Sequence, residues 1–272
     1  MSDLLIHSMS EFSTLILQAL QVAGARNIVE IGAEYGGMSV EIAAYVGARD
    51  GTLVSIDPAP KPEFRHWAAA NPQVRHIADT SLSALPDLAD VDAWLIDGDH
   101  NWYTVHAELN AIAAICRRDG RPLLAFLHDV AWPSGRRDMY YAPETIPAEF
   151  RHPYSFEGGA LPGHSPLVHG GGFRGMGQFA WAMHEGGPRN GVLTAIDDFR
   201  ARAHADGHGY AFAVVPAVFG LGVLFTADAL WSDTLADLLA PYHQNPLLRR
   251  LEDNRLANYL KVLEWQDAAS PA

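Results

Sequence analysis

The sequence is poor in cysteine and in long hydrophobic runs, and each shortage excludes a class of protein. Its one cysteine, Cys116, rules out an intrachain disulfide. The surrounding AIAAICRR predicts a structural thiol on the buried side of a helix. No apolar run reaches the roughly 20 residues of a membrane helix, and the start, MSDLLIHSMSEF, lacks the pattern of a signal peptide. We therefore expect a soluble, cytoplasmic protein with no membrane partner.

Basic residues are also scarce relative to acids. The chain has 19 Lys and Arg against 32 Asp and Glu, a formal net charge of −13. This charge disfavours nucleic acids and anionic membrane surfaces as partners. Apolar residues make up 49% of the sequence, enough for a globular core. A length of 272 residues suits one large α/β domain with elaborations, and we predict a single domain over residues 1–272.

Short apolar segments alternate with amphipathic helical patterns through residues 27–130. The predicted strands here are NIVEIGA, GTLVSIDP, QVRHIAD, AWLIDGD and PLLAFLHDV. This alternation predicts an α/β fold, a Rossmann-like parallel sheet with helices on both faces. The continuous apolar runs are typical of central strands buried on both sides. Further on, YAFAVVPA and FGLGVLFT predict a closing hairpin that makes one strand antiparallel.

Periodicity stops in residues 131–190, which are rich in glycine, proline and histidine. A long aperiodic stretch with many aromatic residues predicts an inserted lid or acceptor-binding segment. Arg136 and Arg137 could bind a carboxylate or phosphate there, or pair with acids of the protein. Residues 228–272 predict a C-terminal helical extension, which could pack on the domain or form a homo-oligomer.

The first strand ends in VEIGAEYGGMS, which places Gly32, Gly36 and Gly37 between a strand and a helix. Such a turn lets a ligand approach the backbone and offers free N–H groups at a helix start. Asp57 ends the next strand, where an acid can hold ribose hydroxyls. A dinucleotide fingerprint would need glycine in place of Glu34, so an NAD-dependent oxidoreductase is disfavoured. A nucleoside with a positive centre and no phosphate, such as S-adenosylmethionine, fits better.

The motifs VEIGAEYGG, VSIDP, LIDGDH and FLHDV resemble those of class I SAM-dependent methyltransferases over roughly residues 10–130. They are most similar to the small-molecule O-methyltransferase branch, which carries D-G-D-H after the fourth strand and H-D after the fifth. The resemblance implies a seven-stranded, mostly parallel sheet of order 3-2-1-4-5-7-6 with the last strand antiparallel. It also implies S-adenosylmethionine as cofactor.

At the methionine end of the cofactor, the resemblance implies that Glu30 and Gly32 line the site and that Gly36 shapes the loop. Relatives often place a serine after this loop to hold the methionine carboxylate. Here that place holds Met38, with Ser39 next.

At the adenosine end, the resemblance assigns Asp57 to the ribose hydroxyls. Asp79 and Thr80, which end the third strand, match the position that contacts adenine. Asp97, after the fourth strand, also belongs to the implied cofactor site.

Two acids end neighbouring strands at the reacting end. Adjacent parallel strands bring Asp97 and Asp129 to the same edge of the sheet. One reason for this convergence is a divalent metal held by Asp97, His128 and Asp129. Carboxylates suit Mg²⁺, and a histidine ligand shifts the preference toward Mn²⁺, Fe²⁺ or Zn²⁺.

A second explanation needs no metal. His100 or His128 could take a hydroxyl proton as general base, because imidazole titrates near neutral pH. Asp97 would then bind cofactor and orient the histidine, and Asp99 would cap the helix that starts near Trp102.

The sequence thus predicts a SAM-dependent methyltransferase that acts on a small-molecule acceptor of secondary metabolism, at a hydroxyl oxygen and with a divalent metal. Two alternatives remain open. One is a metal-independent N- or C-methyltransferase with a histidine base. The other is a catalytically silent nucleoside-binding protein.

Overall fold

The computed structural model describes residues 8–269. Its strands are β1 (Asn27–Ile31), β2 (Thr52–Ile56), β3 (Val74–Ile77), β4 (Ala93–Ile96), β5 (Leu124–Leu127), β6 (Met139–Tyr140), β7 (Tyr154–Ser155), β8 (Gly158–Leu161), β9 (His164–His169), β10 (Ala180–Ala182), β11 (Tyr210–Val215) and β12 (Leu221–Thr226). Its helices are α1 (Ser13–Ala23), α2 (Gly37–Gly47), α3 (Pro62–Ala69), α4 (Ser81–Ala84), α5 (Trp102–Asp119), α6 (Val192–Ala205), α7 (Ser232–Leu239) and α8 (Pro246–Ala269).

The central sheet has the order β3-β2-β1-β4-β5-β12-β11. Strands β1 to β5 pair in parallel, whereas β12 is antiparallel to both β5 and β11. Numbered along the chain, this is the predicted order 3-2-1-4-5-7-6 with an antiparallel last strand. The Rossmann-like prediction is therefore confirmed.

Both faces of the sheet are covered by helices. Helices α1, α2 and α7 pack on one face and α5 and α6 on the other, each over its own apolar cluster. Strand β4 shows why its sequence is continuously apolar. Leu95 enters the first cluster and Trp94 and Ile96 enter the second, and all three are buried. Cys116 is buried on α5, as predicted.

Residues 131–190 form two small sheets. Strands β6, β10 and β7 make one sheet, and the hairpin β8–β9 makes the other. These strands are two to six residues long, too short to give a period in the sequence. The insertion joins the main domain directly at the edge where β4 ends, because Met139 forms a β-bridge with His100.

The predicted cap of α5 is wrong. The N-cap is Asn101, whose side chain accepts a hydrogen bond from the Thr104 N–H at 2.9 Å. Asn101 directly precedes Trp102, the first residue of α5, whereas Asp99 lies two residues further back and instead accepts from Thr104 Oγ1 at 3.1 Å. Among the described residues, 8–269, no helix has the length and apolar character needed to cross a bilayer.

Candidate active site

The end of β1 touches the end of β4, and this contact defines the site. Gly32 has φ 88°, and a Cβ built on it would lie 2.2 Å from the carbonyl oxygen of Asp97. No side chain fits in that space, so only glycine allows this approach. The loop that follows β1 and the acid that follows β4 are therefore in direct contact.

Glu30 lies on β1 beneath this contact, and its side chain is buried. One carboxylate oxygen accepts hydrogen bonds from Ser39 Oγ at 2.5 Å and Ser55 Oγ at 2.8 Å. Burial raises the pKa of Glu30 to about 7; the two hydroxyls oppose this shift, and Asp97 and Asp57 add to it. Because Ser39 donates to Glu30, its hydroxyl is directed into the protein.

The start of α2 lies above Glu30. Its N-cap, Gly36, is left-handed at φ 84° and supplies no side-chain hydrogen bond to the helix. Ser8 and Ser10 lie beside it, since each Oγ is 3.5 Å from the point where a Cβ of Gly37 would stand. These two hydroxyls are 2.7 Å apart. Sequence reasoning missed them because they precede the first helix and belong to no motif.

Asp57 shapes the glycine loop. One of its carboxylate oxygens accepts from the N–H groups of Ala33 at 2.9 Å and Glu34 at 3.1 Å. The other accepts from the Ala59 N–H at 2.8 Å. Glu34 itself is exposed, with φ 46°. Asp57, at the end of β2, thus fixes the backbone of the glycine loop that follows β1.

The predicted adenine contacts lie further along the same edge. Asp79 and Thr80 are both exposed after β3. The next residue, Ser81, donates to the fully buried Glu108 on α5 at 2.5 Å. Burial raises the pKa of Glu108 to about 8, so it is protonated at neutral pH. Sequence reasoning missed this buried acid because it lies within a regular helical pattern.

Three candidate metal ligands come together at the ends of β4 and β5. One ligand atom from each of Asp97, His100 and Asp129 lies within 4.8 Å of the others. His100 is buried, and its Nδ1 is 3.3 Å from Asp129 Oδ2. Its backbone carbonyl accepts from the Met139 N–H at 3.1 Å, so the insertion fixes its place.

His128 lies beside this group with both ring nitrogens engaged. Nε2–H donates to the Val218 carbonyl at 2.9 Å, and Nδ1 is 3.1 Å from Asp97 Oδ1. Burial disfavours the charged ring, but the carboxylates of Asp97 and Asp129 outweigh it and raise the pKa of His128 to about 9. His128 is thus a cation at neutral pH, with no lone pair left for a proton or a metal.

The turn that holds His128 is strained. Val218 has φ 45° and Phe219 has φ 62°, which is unusual for a β-branched and a bulky residue. Their N–H groups donate to the carboxylate of Glu252 on α8, at 3.0 Å and 2.9 Å. Arg255 pairs with the same carboxylate at 2.7 Å. No sequence signal links Glu252 to the site, because the link passes through backbone groups.

The two arginines that follow Asp129 have their partners outside the group formed by Asp97, His100 and Asp129. Arg136 pairs with Asp197 on α6 at 2.6 Å. Arg137 is fully buried and donates to the carbonyls of Ala182 and Ser165, each at 2.6 Å. Both serve the packing of the insertion in this structure.

Aromatic residues of the insertion stand over His100. The ring of Tyr141 lies 6.2 Å from the His100 ring and 6.3 Å from the Phe179 ring, centre to centre. The Tyr141 side chain is 52% exposed, so it lies at the surface of the site. The mouth of the site is therefore aromatic, with carboxylates beneath it.

Comparison with known proteins supports part of this description. Residues 29–130 match a family model described as a methyltransferase domain. The resemblance to methyltransferases is thus confirmed over the segment that carries β1 to β5. No curated protein matches the chain.

Several solved structures similar to this chain are named as methyltransferases, and two of them contain SAH. An O-methyltransferase from Bacillus cereus in complex with SAH is 14% identical over 80% of this chain and 81% of its own, with a TM-score of 0.47. An SAH-bound methyltransferase from Podospora anserina is 14% identical over 80% of this chain and 79% of its own, also with a TM-score of 0.47.

Proposed function

We propose that this protein transfers a methyl group from S-adenosylmethionine to a hydroxyl oxygen of a small-molecule acceptor. The observation that carries the proposal is the contact between Gly32 and Asp97. It sets the glycine loop of a methyltransferase-type domain against the paired acids. A cofactor on the loop and an acceptor at the acids would therefore be adjacent.

The residues fit the methionine end of the cofactor. The buried Glu30 can be ionised by a bound ammonium group, because a nearby positive charge lowers the pKa of a carboxyl. The side-chain-free cap of α2 leaves N–H groups for a carboxylate. Ser8 and Ser10 would add hydroxyl donors in place of the serine that this loop lacks.

At the adenosine end, the carboxylate oxygens of Asp57 keep lone pairs beyond those used by the loop, and these can accept from ribose hydroxyls. Asp79 and Thr80 are exposed at the position expected for adenine. Glu108 would act indirectly, by fixing Ser81 next to them.

For the metal, we propose Asp97, His100 and Asp129 as ligands rather than the set that includes His128. Two carboxylates and one imidazole suit Mn²⁺, Fe²⁺ or Zn²⁺ better than Mg²⁺. A cation bound there would lower the pKa of an acceptor hydroxyl. The positive charge of His128 would reduce the repulsion between the two acids.

A second candidate uses His100 as general base without a metal. The favouring observation is the 3.3 Å distance from His100 Nδ1 to Asp129, which is the arrangement of a base and the acid that orients it. In both versions Arg136 and Arg137 do not bind the acceptor, because both are engaged elsewhere.

Calorimetry with S-adenosylhomocysteine and NAD tests the cofactor. We expect binding of the first only; binding of NAD alone would overturn the proposal. Methyl transfer to a panel of phenols, sugars and amines then tests the acceptor atom, and transfer to amines alone would refute O-methylation.

Mn²⁺ binding separates the two versions of the mechanism. Asp129→Asn should abolish Mn²⁺ binding, whereas the exposed Asp87→Asn should leave it unchanged. Turnover that is lost in EDTA and restored by Mn²⁺ supports the metal site. Turnover that persists in EDTA but is lost in His100→Ala supports the histidine base and contradicts the metal site.

A further inference from the structure

Helix α8 has one face packed on the domain and one face in solvent. On the packed face, Glu252 and Leu256 are buried, and Tyr259 contacts Phe173 of the insertion. The solvent face carries large apolar side chains that are well exposed: Leu247 (64%), Leu251 (57%), Val262 (42%) and Trp265 (64%). An exposed apolar row of this size on one helix indicates an interaction surface.

The row follows helical spacing. With 100° per residue, Leu247, Leu251, Val262 and Trp265 lie in one stripe. The exposed Asn254 and Asn258 complete it, giving successive steps of four, three, four, four and three residues. This is the spacing of a seam between two helices. We call these six residues the α8 stripe.

The α8 stripe reads almost the same in both directions. About position 256, Leu247 is the counterpart of Trp265, Leu251 of Val262, and Asn254 of Asn258. A twofold interface joins the same patch on two copies, so the patch must be complementary to itself. An antiparallel pair of α8 helices would meet this condition with apolar residues on apolar residues and amide on amide.

Charges beside the stripe are symmetric about position 257, within one residue of the centre of the stripe. Arg250, Asp253, Lys261 and Glu264 lie on one flank of α8 and are exposed. In the antiparallel pair, Arg250 would lie opposite Glu264 of the second copy, and Asp253 opposite Lys261 of the second copy. All four contacts across the twofold axis are between opposite charges. The Lys261–Glu264 pair within the helix is solvent-exposed, so replacing it by contacts with the second copy costs little free energy.

We propose that the α8 stripe is a twofold interface through which a second copy of this chain binds, with the two α8 helices antiparallel. The inference is independent of the proposed function, and its tests need neither cofactor nor acceptor. Burial of four apolar side chains per copy predicts a dimer that dissociates on dilution, with a dissociation constant on the order of micromolar.

Sedimentation velocity over a dilution series tests the interface. The wild type should be dimeric at high concentration, and Leu251→Glu should be monomeric. The matched control is Leu230→Glu, a fully exposed position outside α8, which should remain dimeric. Circular dichroism verifies that both variants fold. A wild type that stays monomeric, or a Leu251→Glu variant that stays dimeric, would overturn the proposal.

Charge reversal tests the antiparallel direction. Arg250→Glu alone places two acids opposite each other at both ends of the seam and should raise the dissociation constant roughly tenfold, about 1.4 kcal/mol. The double variant Arg250→Glu with Glu264→Arg restores opposite charges and should recover wild-type affinity. Failure of the second change to restore the dimer contradicts the pairing.

Oxidative cross-linking gives an independent measure of direction. The only native cysteine, Cys116, is buried, so introduced thiols dominate the reaction. The double variant Asn254→Cys with Asn258→Cys should form cross-linked dimers far faster than Asn254→Cys alone, because residue 254 lies opposite residue 258 of the second copy. Equally fast cross-linking of the single variant would indicate parallel helices and refute the arrangement.

Discussion

Replacing Glu108 by glutamine should change how the stability of this protein depends on pH. The Glu108 side chain is fully buried; one oxygen accepts from Ser81, and the other has no hydrogen-bond partner among residues 8–269. Burial raises its pKa from the ordinary 4.5 to about 8. Between these values the folded state holds a proton that the unfolded state has released.

The sign follows from linkage. Because the folded pKa is the higher one, the contribution of Glu108 to stability is full below pH 4.5 and decreases until the folded side chain ionises near pH 8. The limiting slope is about 1.4 kcal/mol per pH unit. Between about pH 6 and about pH 7.5, the wild type should therefore lose about 2 kcal/mol relative to Glu108→Gln. In a chain of this size that corresponds to about 4–8 °C in Tm.

Urea denaturation followed by tryptophan fluorescence at several pH values measures this difference. The amide of glutamine can add a constant offset, because its second polar group has no partner either, so the slope is the decisive quantity. The exposed Glu41→Gln on α2 is the control and should run parallel to the wild type. If Glu108→Gln also runs parallel to the wild type, Glu108 is not protonated in the folded protein and the reasoning fails.

Three further substitutions test the site. Gly32→Ala should destabilise the fold by about 2–4 kcal/mol and abolish S-adenosylhomocysteine binding in calorimetry, because its Cβ would overlap the Asp97 carbonyl. Normal binding would contradict the close approach. Glu252→Gln should cost about 1.5–3 kcal/mol in urea unfolding and lower kcat at unchanged KM for the cofactor, since it loosens the turn that holds His128. An unchanged kcat would contradict the idea that Glu252 positions His128. Arg136→Ala breaks a half-exposed ion pair, so it should lower the free energy of unfolding by about 0–1 kcal/mol and leave the KM for the acceptor unchanged. A raised KM would indicate that Arg136 binds the acceptor.

The choice between His100 and His128 shows where sequence reasoning stops. Both histidines follow a strand whose end could be read from the sequence. Both were candidates for the general base, and only His128 was a candidate metal ligand. The carbonyl of Val218, about 90 residues further along the chain, occupies Nε2 of His128. The acid Glu252 on α8 holds that turn. No local pattern encodes such a contact.

The insertion could not be predicted in detail for a different reason. Its strands are too short to create a period, and they are stabilised by contacts between distant residues, such as Trp102 N–H with Asp138 at 2.7 Å. The cap of α5 was mistaken because Asp99 and Asn101 are both good caps in isolation. The side-chain geometry of the folded loop selects Asn101.

The sequence by itself determined the sheet and its helical cover, and the resemblance to methyltransferases implied the order of the strands. Apolar runs bounded by glycine and aspartate specify buried parallel strands locally, and the hairpin at the end reverses the last one. It also determined that acids meet at one edge, because parallel strands deliver their ends together. Only the tertiary structure decided which of the acids and histidines carry protons and which are already hydrogen-bonded to other parts of the protein. Those properties depend on burial and on hydrogen bonds between parts of the chain that are far apart in sequence.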